Sequence, residues 1–312
     1  MTLVRGLPSV APAAHTALTL GVFDGVHLGH QAILARLKEV ARRMGCPAVV
    51  LTFDRHPASV VRPEACPPCI FDLEDRFALF DQLGIDMTVV VPFDERMAKV
   101  SAYSFLHDLL LGGLGAKAVV VGYDCRFGHR GEGTITFLEE YAQREHFAVY
   151  EVEPVYVGTE AVSSTVIRRA IQAGDMPRVA SLLGRPWRFH ARVIHGQGLG
   201  HALGFPTANL PVGEMVKPAL GVYAGWAVES GVRHKAAIYI GCKPTFPECA
   251  GAVVCEVFML EYQGDLYGKE IMVQPAKLLR ADQRFDTPGA LSAQMKRDVE
   301  NVAAWMEVND GE

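Results

Sequence analysis

The stretch Gly21-Val22-Phe23-Asp24-Gly25-Val26-His27-Leu28-Gly29-His30 stands where an apolar run, Leu18 to Phe23, meets a helical pattern that starts near Gly29 and runs to Arg43. Between them the dipeptide Asp24-Gly25 is a turn signal. The order is strand, tight loop, helix. Glycines at 21, 25 and 29 permit φ > 0 and leave no Cβ between the loop and an approaching ligand. His27 and His30 bring two imidazoles to the helix start, where free N–H groups attract anions. We read the loop as a polyphosphate site, with Gly21, Phe23, Asp24, Gly25 and Gly29 on its phosphate and nucleotide side.

Three readings of the histidine pair compete. A satisfied structural pair is the common use of two such side chains. Zinc is the second, but no third and fourth ligand stands at a matching spacing, and a glycine-flanked loop is a poor metal scaffold. In the third, nucleotidyl transfer, imidazole donors neutralise charge that builds on phosphate oxygens as a bond to phosphorus breaks. The surrounding glycines favour this third reading.

With 312 residues, 50% of them hydrophobic and 21% charged, the chain can bury a large core, and its length suggests two domains. No apolar run is long enough to cross a bilayer, and the first residues lack the pattern of a signal peptide, so a cytoplasmic protein is expected. A net charge of −5 with a pI near 6.1 argues against a nucleic-acid partner, which would call for a clustered basic surface. Seven scattered cysteines fit free thiols better than a disulfide framework. Cys66-Pro67-Pro68-Cys69 is a single C-x-x-C with no second pair, read as a loop.

Further along, Ala48 to Phe53 reads as a second parallel strand that delivers Asp54-Arg55-His56-Pro57 at its carboxyl end, where open α/β sheets bind ligands. Asp72 caps a helix over 73–83, which feeds a strand at 87–91; Ser101 caps a helix to Leu111. Lys117 to Val121 is a buried strand opening into G-Y-D-C-R-F-G at 122–128, followed by a helix over 135–145 and a strand over 148–152. Ser163, Ser164 and Thr165 then start a helix carrying Arg168 on its first turn. Capping needs one hydroxyl; three beside an arginine suit a phosphate. A short helix over 176–183 closes the first domain at Gly184.

After Arg185-Pro186 the pattern changes to short apolar runs at 189–194, 221–228, 235–240, 253–262 and 271–273, separated by Gly and Pro. These predict a small antiparallel barrel, and Thr287 caps an amphipathic helix to about Met306. Within it, the glycine-rich 195–200, including Gly196 and Gly200, forms a flap beside a turn at 204–209. The turn is either a plain β-turn or, in the functional reading, offers Thr207 and Asn209 as hard oxygen ligands for Mg²⁺ carried by ATP. Glu256, alternating with apolar neighbours, either faces solvent or points into the barrel mouth as a base for a substrate hydroxyl.

Taken together, these motifs resemble the bifunctional bacterial riboflavin kinase/FAD synthetase family over nearly the whole chain. The first half resembles its FMN adenylyltransferase domain, with G-V-F-D-G-V-H-L-G-H, T-F-D-R-H-P, G-Y-D-C-R-F-G and V-S-S-T-V-I-R in the family's order. The second resembles its riboflavin kinase domain, with L-G-F-P-T-A-N, G-V-Y-A, P-T-F at 244–246, D-L-Y-G-K at 265–269 and L-L-R-A-D-Q-R-F at 278–285. Each motif alone is weak, and the ordered set is specific.

The resemblance implies a Rossmann-like nucleotidyltransferase domain with a parallel sheet over 1–184 and a riboflavin kinase barrel with its terminal helix over 185–312. His27 and His30 would stabilise adenylyl transfer, while Ser163, Ser164, Thr165 and Arg168 would hold the departing pyrophosphate. Asp54, His56, Asp124 and Phe127 would line the flavin side of that cleft. In the kinase half, Thr207 and Asn209 would bind Mg·ATP, Gly196 and Gly200 would wrap phosphates, Glu256 would be the base, and Arg280 and Phe285 would serve the flavin. The implied small molecules are riboflavin, FMN and ATP, with FMN and FAD as substrate or product rather than redox cofactors; a homo-oligomer is left open. The sequence departs from the family at Ala191, His201 and Phe258, where glycine, arginine and histidine are usual, so a kinase half that is weak or idle is one alternative. A nucleotidyltransferase for another acceptor, or a non-catalytic flavin- or nucleotide-binding module, are the others.

Overall fold

The computed structural model describes residues 1–7, 15–196, 200, 203–242 and 253–309. The expectations for His201 and for P-T-F at 244–246, and the middle of the flap, lie outside the described residues. By packing the chain divides into two units, Met1–Ser164 and Thr165–Glu312.

The first unit is built on an all-parallel six-stranded sheet of β1 (Thr2–Arg5), β2 (Thr16–Leu20), β3 (Ala48–Phe53), β4 (Met87–Val91), β5 (Ala116–Gly122) and β6 (Ala148–Val152). Their order is β1-β4-β3-β2-β5-β6. The chain winds outward from β2 to β4 on one side and then crosses to β5 on the other. The order reverses between β2 and β5, and in doubly wound sheets ligands settle at the carboxyl ends of the strands flanking that point. Every residue of β2 and β3 is buried, as strands covered on both faces require.

The connecting helices are α1 (Leu28–Met44), α2 (Ala58–Val61), α3 (Leu73–Gln82), α4 (Ala102–Ser104) and α5 (Ile135–Glu145). Asp72 caps α3 by accepting the Asp75 N–H at 2.7 Å, and Thr134 caps α5 through the Phe137 N–H at 3.2 Å. The helix expected after Ser101 runs on from α4 as a π-helix, Phe105–Gly113. The edge strand β1, the short helix α2 and a small hairpin of β7 (Tyr156–Val157) and β8 (Glu160–Ala161) were absent from the sequence reading.

The second unit opens with α6 (Ser164–Gln172), whose first residue still belongs to the first unit, and α7 (Met176–Leu183). The sequence boundary at 184 therefore falls later than the packing boundary. The Ala219 N–H donates to Ile171 O at 3.3 Å, and a Cβ on Gly174 would lie 2.9 Å from the Leu278 side chain, so both helices are fastened to the barrel that follows.

That barrel is antiparallel, with β9 (Phe189–Arg192), β10 (Ala208–Pro211), β11 (Gly221–Glu229), β12 (Val232–Cys242), β13 (Val253–Met259) and β14 (Glu270–Ala281) in the order β10-β13-β12-β11-β14-β9. A bridge between Ile194 and Asn209 brings the two ends of the sheet together. The sequence reading missed β10 and cut β14 short. Residues 210, 238, 240, 255 and 257 are fully buried inside, and their alternates form the outer face.

The terminal helix (Pro288–Asn309) covers part of that outer face, setting Val302 and Met306 on Ala224 and Trp226. Trp305 meets Trp226 edge-on with centroids 5.7 Å apart. Met306 is fully buried, so Met306→Ala is expected to destabilise the unit by about 2–5 kcal/mol. Urea unfolding followed by tryptophan fluorescence would measure this.

Candidate active sites

At the carboxyl end of β2 the chain turns through Gly21 to Val26 into α1. The left-handed positions are Phe23 (φ 52°), Gly25 (φ 85°) and Val26 (φ 39°), not Gly21 or Gly29. The expectation that all three glycines supply φ > 0 holds only for Gly25. The other two supply space: a Cβ on Gly21 would meet the Phe23 ring at 3.2 Å, and one on Gly29 the His27 ring at 3.2 Å. A phenylalanine and a β-branched valine in this region each cost about 1–3 kcal/mol, which the surroundings must offset.

His27 is the N-cap of α1, and its Nδ1 accepts the His30 N–H at 3.3 Å. An accepting Nδ1 leaves Nε2 as the N–H donor of the neutral ring. The two imidazoles stack with centroids 3.6 Å apart and an interplanar angle of 18°. His30 in turn stands edge-on to Phe23, and Phe23 to Phe80 of α3. The pair is thus a packed, oriented unit at a helix N-terminus beside the sheet's switch point.

Asp24, 5% exposed, uses its carboxylate to accept the N–H groups of Ile70 (3.0 Å) and Phe71 (3.3 Å). Its backbone oxygen accepts the Ser164 hydroxyl at 2.9 Å, so Ser164 reaches the loop as a donor to the chain. Ser163 precedes it, half-buried, while Thr165 and Arg168 follow on α6 and group with the second unit. Asp54 accepts the Phe93 N–H at 2.9 Å and so ties the end of β3 to the segment after β4, while His56 Nδ1 accepts the Ala58 N–H at 3.1 Å and fixes the turn after β3.

After β5, Asp124 is exposed, but Phe127 is buried in the core against Phe105 and Phe137. Its ring belongs to the core cluster of the unit. Burial pushes the neighbouring Cys125 thiol up to about 12, so at pH 8 only on the order of 1 in 10⁴ of it is thiolate. Native protein treated with a maleimide at pH 8 should leave Cys125 unmodified, as read by peptide mass spectrometry.

The second constellation lies on the barrel. In register, Asn209 of β10 stands opposite Glu256 of β13, and Glu256 opposite Tyr239 of β12. The Thr207 hydroxyl donates to Glu256 at 3.2 Å. These residues occupy the half-exposed positions between buried ones, so of the two placements open from the sequence Glu256 takes the one on the outer face. The interior is filled by Cys255, Val257, Ile238 and Ile240.

Gly196 and Gly200 come close to this group: a Cβ on the first would lie 2.2 Å from the Asn209 amide, and one on the second 2.5 Å from Phe205 O. Only glycine permits that approach. Tyr239, whose hydroxyl donates to Asp282 at 3.2 Å, has its pKa raised first by burial and then by the Asp282 and Glu256 charges. His195 stacks on Tyr267 of the D-L-Y-G-K segment at 4.0 Å. Arg280 and Phe285 are together, the guanidinium 5.9 Å from the ring centroid. Asp298 of the terminal helix holds that guanidinium in a bidentate pair at 2.8 and 2.7 Å, a partner the sequence did not reveal.

Of the departures from the family pattern, Ala191 sits in register opposite Ile271, and Phe258 packs edge-on against Phe205. Neither separates Thr207, Asn209 and Glu256. Among the described residues no group of three or more His, Cys, Asp or Glu is placed to hold a metal ion. The oxygen donors near Glu256 instead suit a hard cation that arrives largely ligated by phosphates and water.

Matches to the family models of two ATP-dependent enzymes make the chain a nucleotide-dependent transferase with two catalytic units. The family model for FAD synthetase matches residues 10–166 and that for riboflavin kinase matches residues 183–306. The chain belongs to the bifunctional riboflavin kinase/FMN adenylyltransferase family. The relative of that name from Escherichia coli (strain K12) is 35% identical over 301 residues, covering 96% of both chains. The one from Pseudomonas fluorescens is 37% identical over 300 residues, again covering 96% of both. A crystal structure described as a macrolide-efflux protein from Streptococcus pneumoniae shares the fold with a TM-score of 0.87 at 27% identity, covering 98% of this chain and all of that one. Among the described residues no helix is long and apolar enough to cross a membrane.

Proposed function

We propose that residues 185–312 transfer the γ-phosphoryl group of ATP to the ribityl hydroxyl of riboflavin. Residues 1–184 then join the resulting FMN to the adenylyl group of a second ATP, with release of pyrophosphate. One observation carries the reading: two separate sets of polar side chains, His27 with His30 and Thr207 with Asn209 and Glu256, are each gathered at one point of a different unit.

In the adenylyl step the FMN phosphate is itself the nucleophile, so the protein needs donors and alignment rather than a nucleophilic side chain. His27 and His30 donate to oxygens that gain charge as the α-phosphorus bond to pyrophosphate breaks. Ser163 and Ser164 supply hydroxyls to the leaving group, and Gly21, Gly25 and Gly29 keep the loop open to it. Asp54, His56, Asp124 and the Phe127 segment frame the flavin side.

In the kinase step Glu256 takes the proton of the attacking hydroxyl. Thr207 and Asn209 would hold Mg²⁺ with ATP; when bound, the ion would supply charge neutralisation along the transferring phosphates. Gly196 and Gly200 bring backbone N–H groups to those phosphates, and Arg280 with Phe285 meets the flavin. FMN and FAD pass through as substrate and product. Six described cysteines, all free thiols, support a cytoplasmic setting.

Incubating the purified protein with riboflavin, ATP and magnesium tests the reading. FMN is expected first and FAD with pyrophosphate after it. FAD from supplied FMN without any FMN from riboflavin would leave only the adenylyltransferase, and binding without turnover would leave a non-catalytic module.

A further inference from the structure

Arg76 lies in the middle of α3 and is 5% exposed, in a helix whose other buried side chains are Phe77, Leu79 and Phe80. A guanidinium keeps its charge in such a place, and an apolar side chain of similar volume would avoid the desolvation penalty. Burial works to lower its pKa, and Asp24 is the foremost of the charges that oppose this. Its Nη1 donates to the backbone oxygen of Val22, while its buried Nε finds no hydrogen-bond partner among the described residues. The placement serves the loop rather than the arginine.

What it holds is the segment with the unusual backbone. Val22 O accepts from Arg76, and the Val26 N–H closes on Phe23 O at 3.0 Å. Val26 O accepts the Gln31 side-chain amide at 2.9 Å. Phe80 supports the Phe23 ring and Ile70 lies against Gly25. The turn through Phe23 and Val26 is thus tied by a side chain at each end, and His27 follows immediately.

We propose that Arg76 and Gln31 are positioning residues for adenylyl transfer: by binding the carbonyls of Val22 and Val26 they hold the left-handed turn that sets His27 and His30 at the head of α1. This rests on the adenylyl-transfer reading of the first unit. Neither side chain is required to touch substrate. A histidine pair displaced by about 1 Å loses on the order of a hundredfold in rate.

The test uses the full-length protein with Arg76→Met, Arg76→Lys and Gln31→Leu, and measures FAD formation from FMN and ATP beside FMN formation from riboflavin and ATP. For Arg76→Met, kcat for FAD formation should fall about a hundredfold with KM for FMN little changed. Arg76→Lys, which keeps a charged donor for Val22 O, should recover most of that loss, and Gln31→Leu should lose about tenfold. Kinase activity of the same preparations should stay near wild type.

An Arg76→Met protein with wild-type kcat overturns the proposal, as does an Arg76→Lys protein as poor as Arg76→Met. If Arg76→Met does not fold, wild-type kcat in Gln31→Leu overturns it instead. Wild-type protein that forms no FAD would mean that the functional reading itself has failed, and the positioning role with it.

Discussion

The His30→Ala protein is expected to form FAD from FMN about a thousandfold more slowly than wild type, while it still converts riboflavin to FMN. His30 is one of two stacked rings at the head of α1, and its own N–H is held by His27 Nδ1. Alanine removes the imidazole and the face against which His27 rests, yet keeps the backbone N–H that the cap binds. The helix start therefore survives, and the loss falls on charge stabilisation during transfer. Chromatographic separation of FMN and FAD would read both products from one reaction. A His30→Ala protein that makes FAD at a wild-type rate would return the histidine pair to the structural reading.

Glu256→Ala is the converse. FMN formation should fall by about 10²–10⁴-fold, while FAD formation from supplied FMN persists. Glu256 stands at a half-exposed position on the outer face of β13, beside Asn209 and Tyr239 and within reach of the Thr207 hydroxyl. Its removal leaves the buried residues Cys255 and Val257 in place, so the barrel core is not disturbed. Equal loss of both activities in this variant would contradict separate sites.

Much of this was legible in the chain itself, because strong periodicity and turn chemistry pointed the same way. The run from Leu18 through Asp24-Gly25 into α1 is strand, turn and helix in the structure, and the Gly- and Pro-punctuated runs after Arg185 are an antiparallel barrel. What escaped was decided by tertiary packing. No residue type announces that Phe23 and Val26, rather than Gly21 and Gly29, take the left-handed backbone. Arg76 reads as the polar side of an amphipathic helix, and only the closeness of Val22 O and Asp24 accounts for its burial. The sequence set Glu256 among apolar neighbours on a strand, but a period of two does not say which face is the interior. The short strands β1, β7 and β8 carry too few buried positions to stand out, and β10 was hidden in a stretch whose Gly and Pro read as a turn.

Two inactive halves should make one active mixture. Neither the His30→Ala nor the Glu256→Ala protein alone is expected to carry riboflavin efficiently through to FAD, but FMN released by the first is the substrate of the second. Mixed with riboflavin, ATP and magnesium, the two variants should produce FAD after a lag during which FMN accumulates, with one pyrophosphate for each FAD. A mixture of folded variants that yields FMN but no FAD, or neither flavin nucleotide, would contradict two independent transfer sites on one chain.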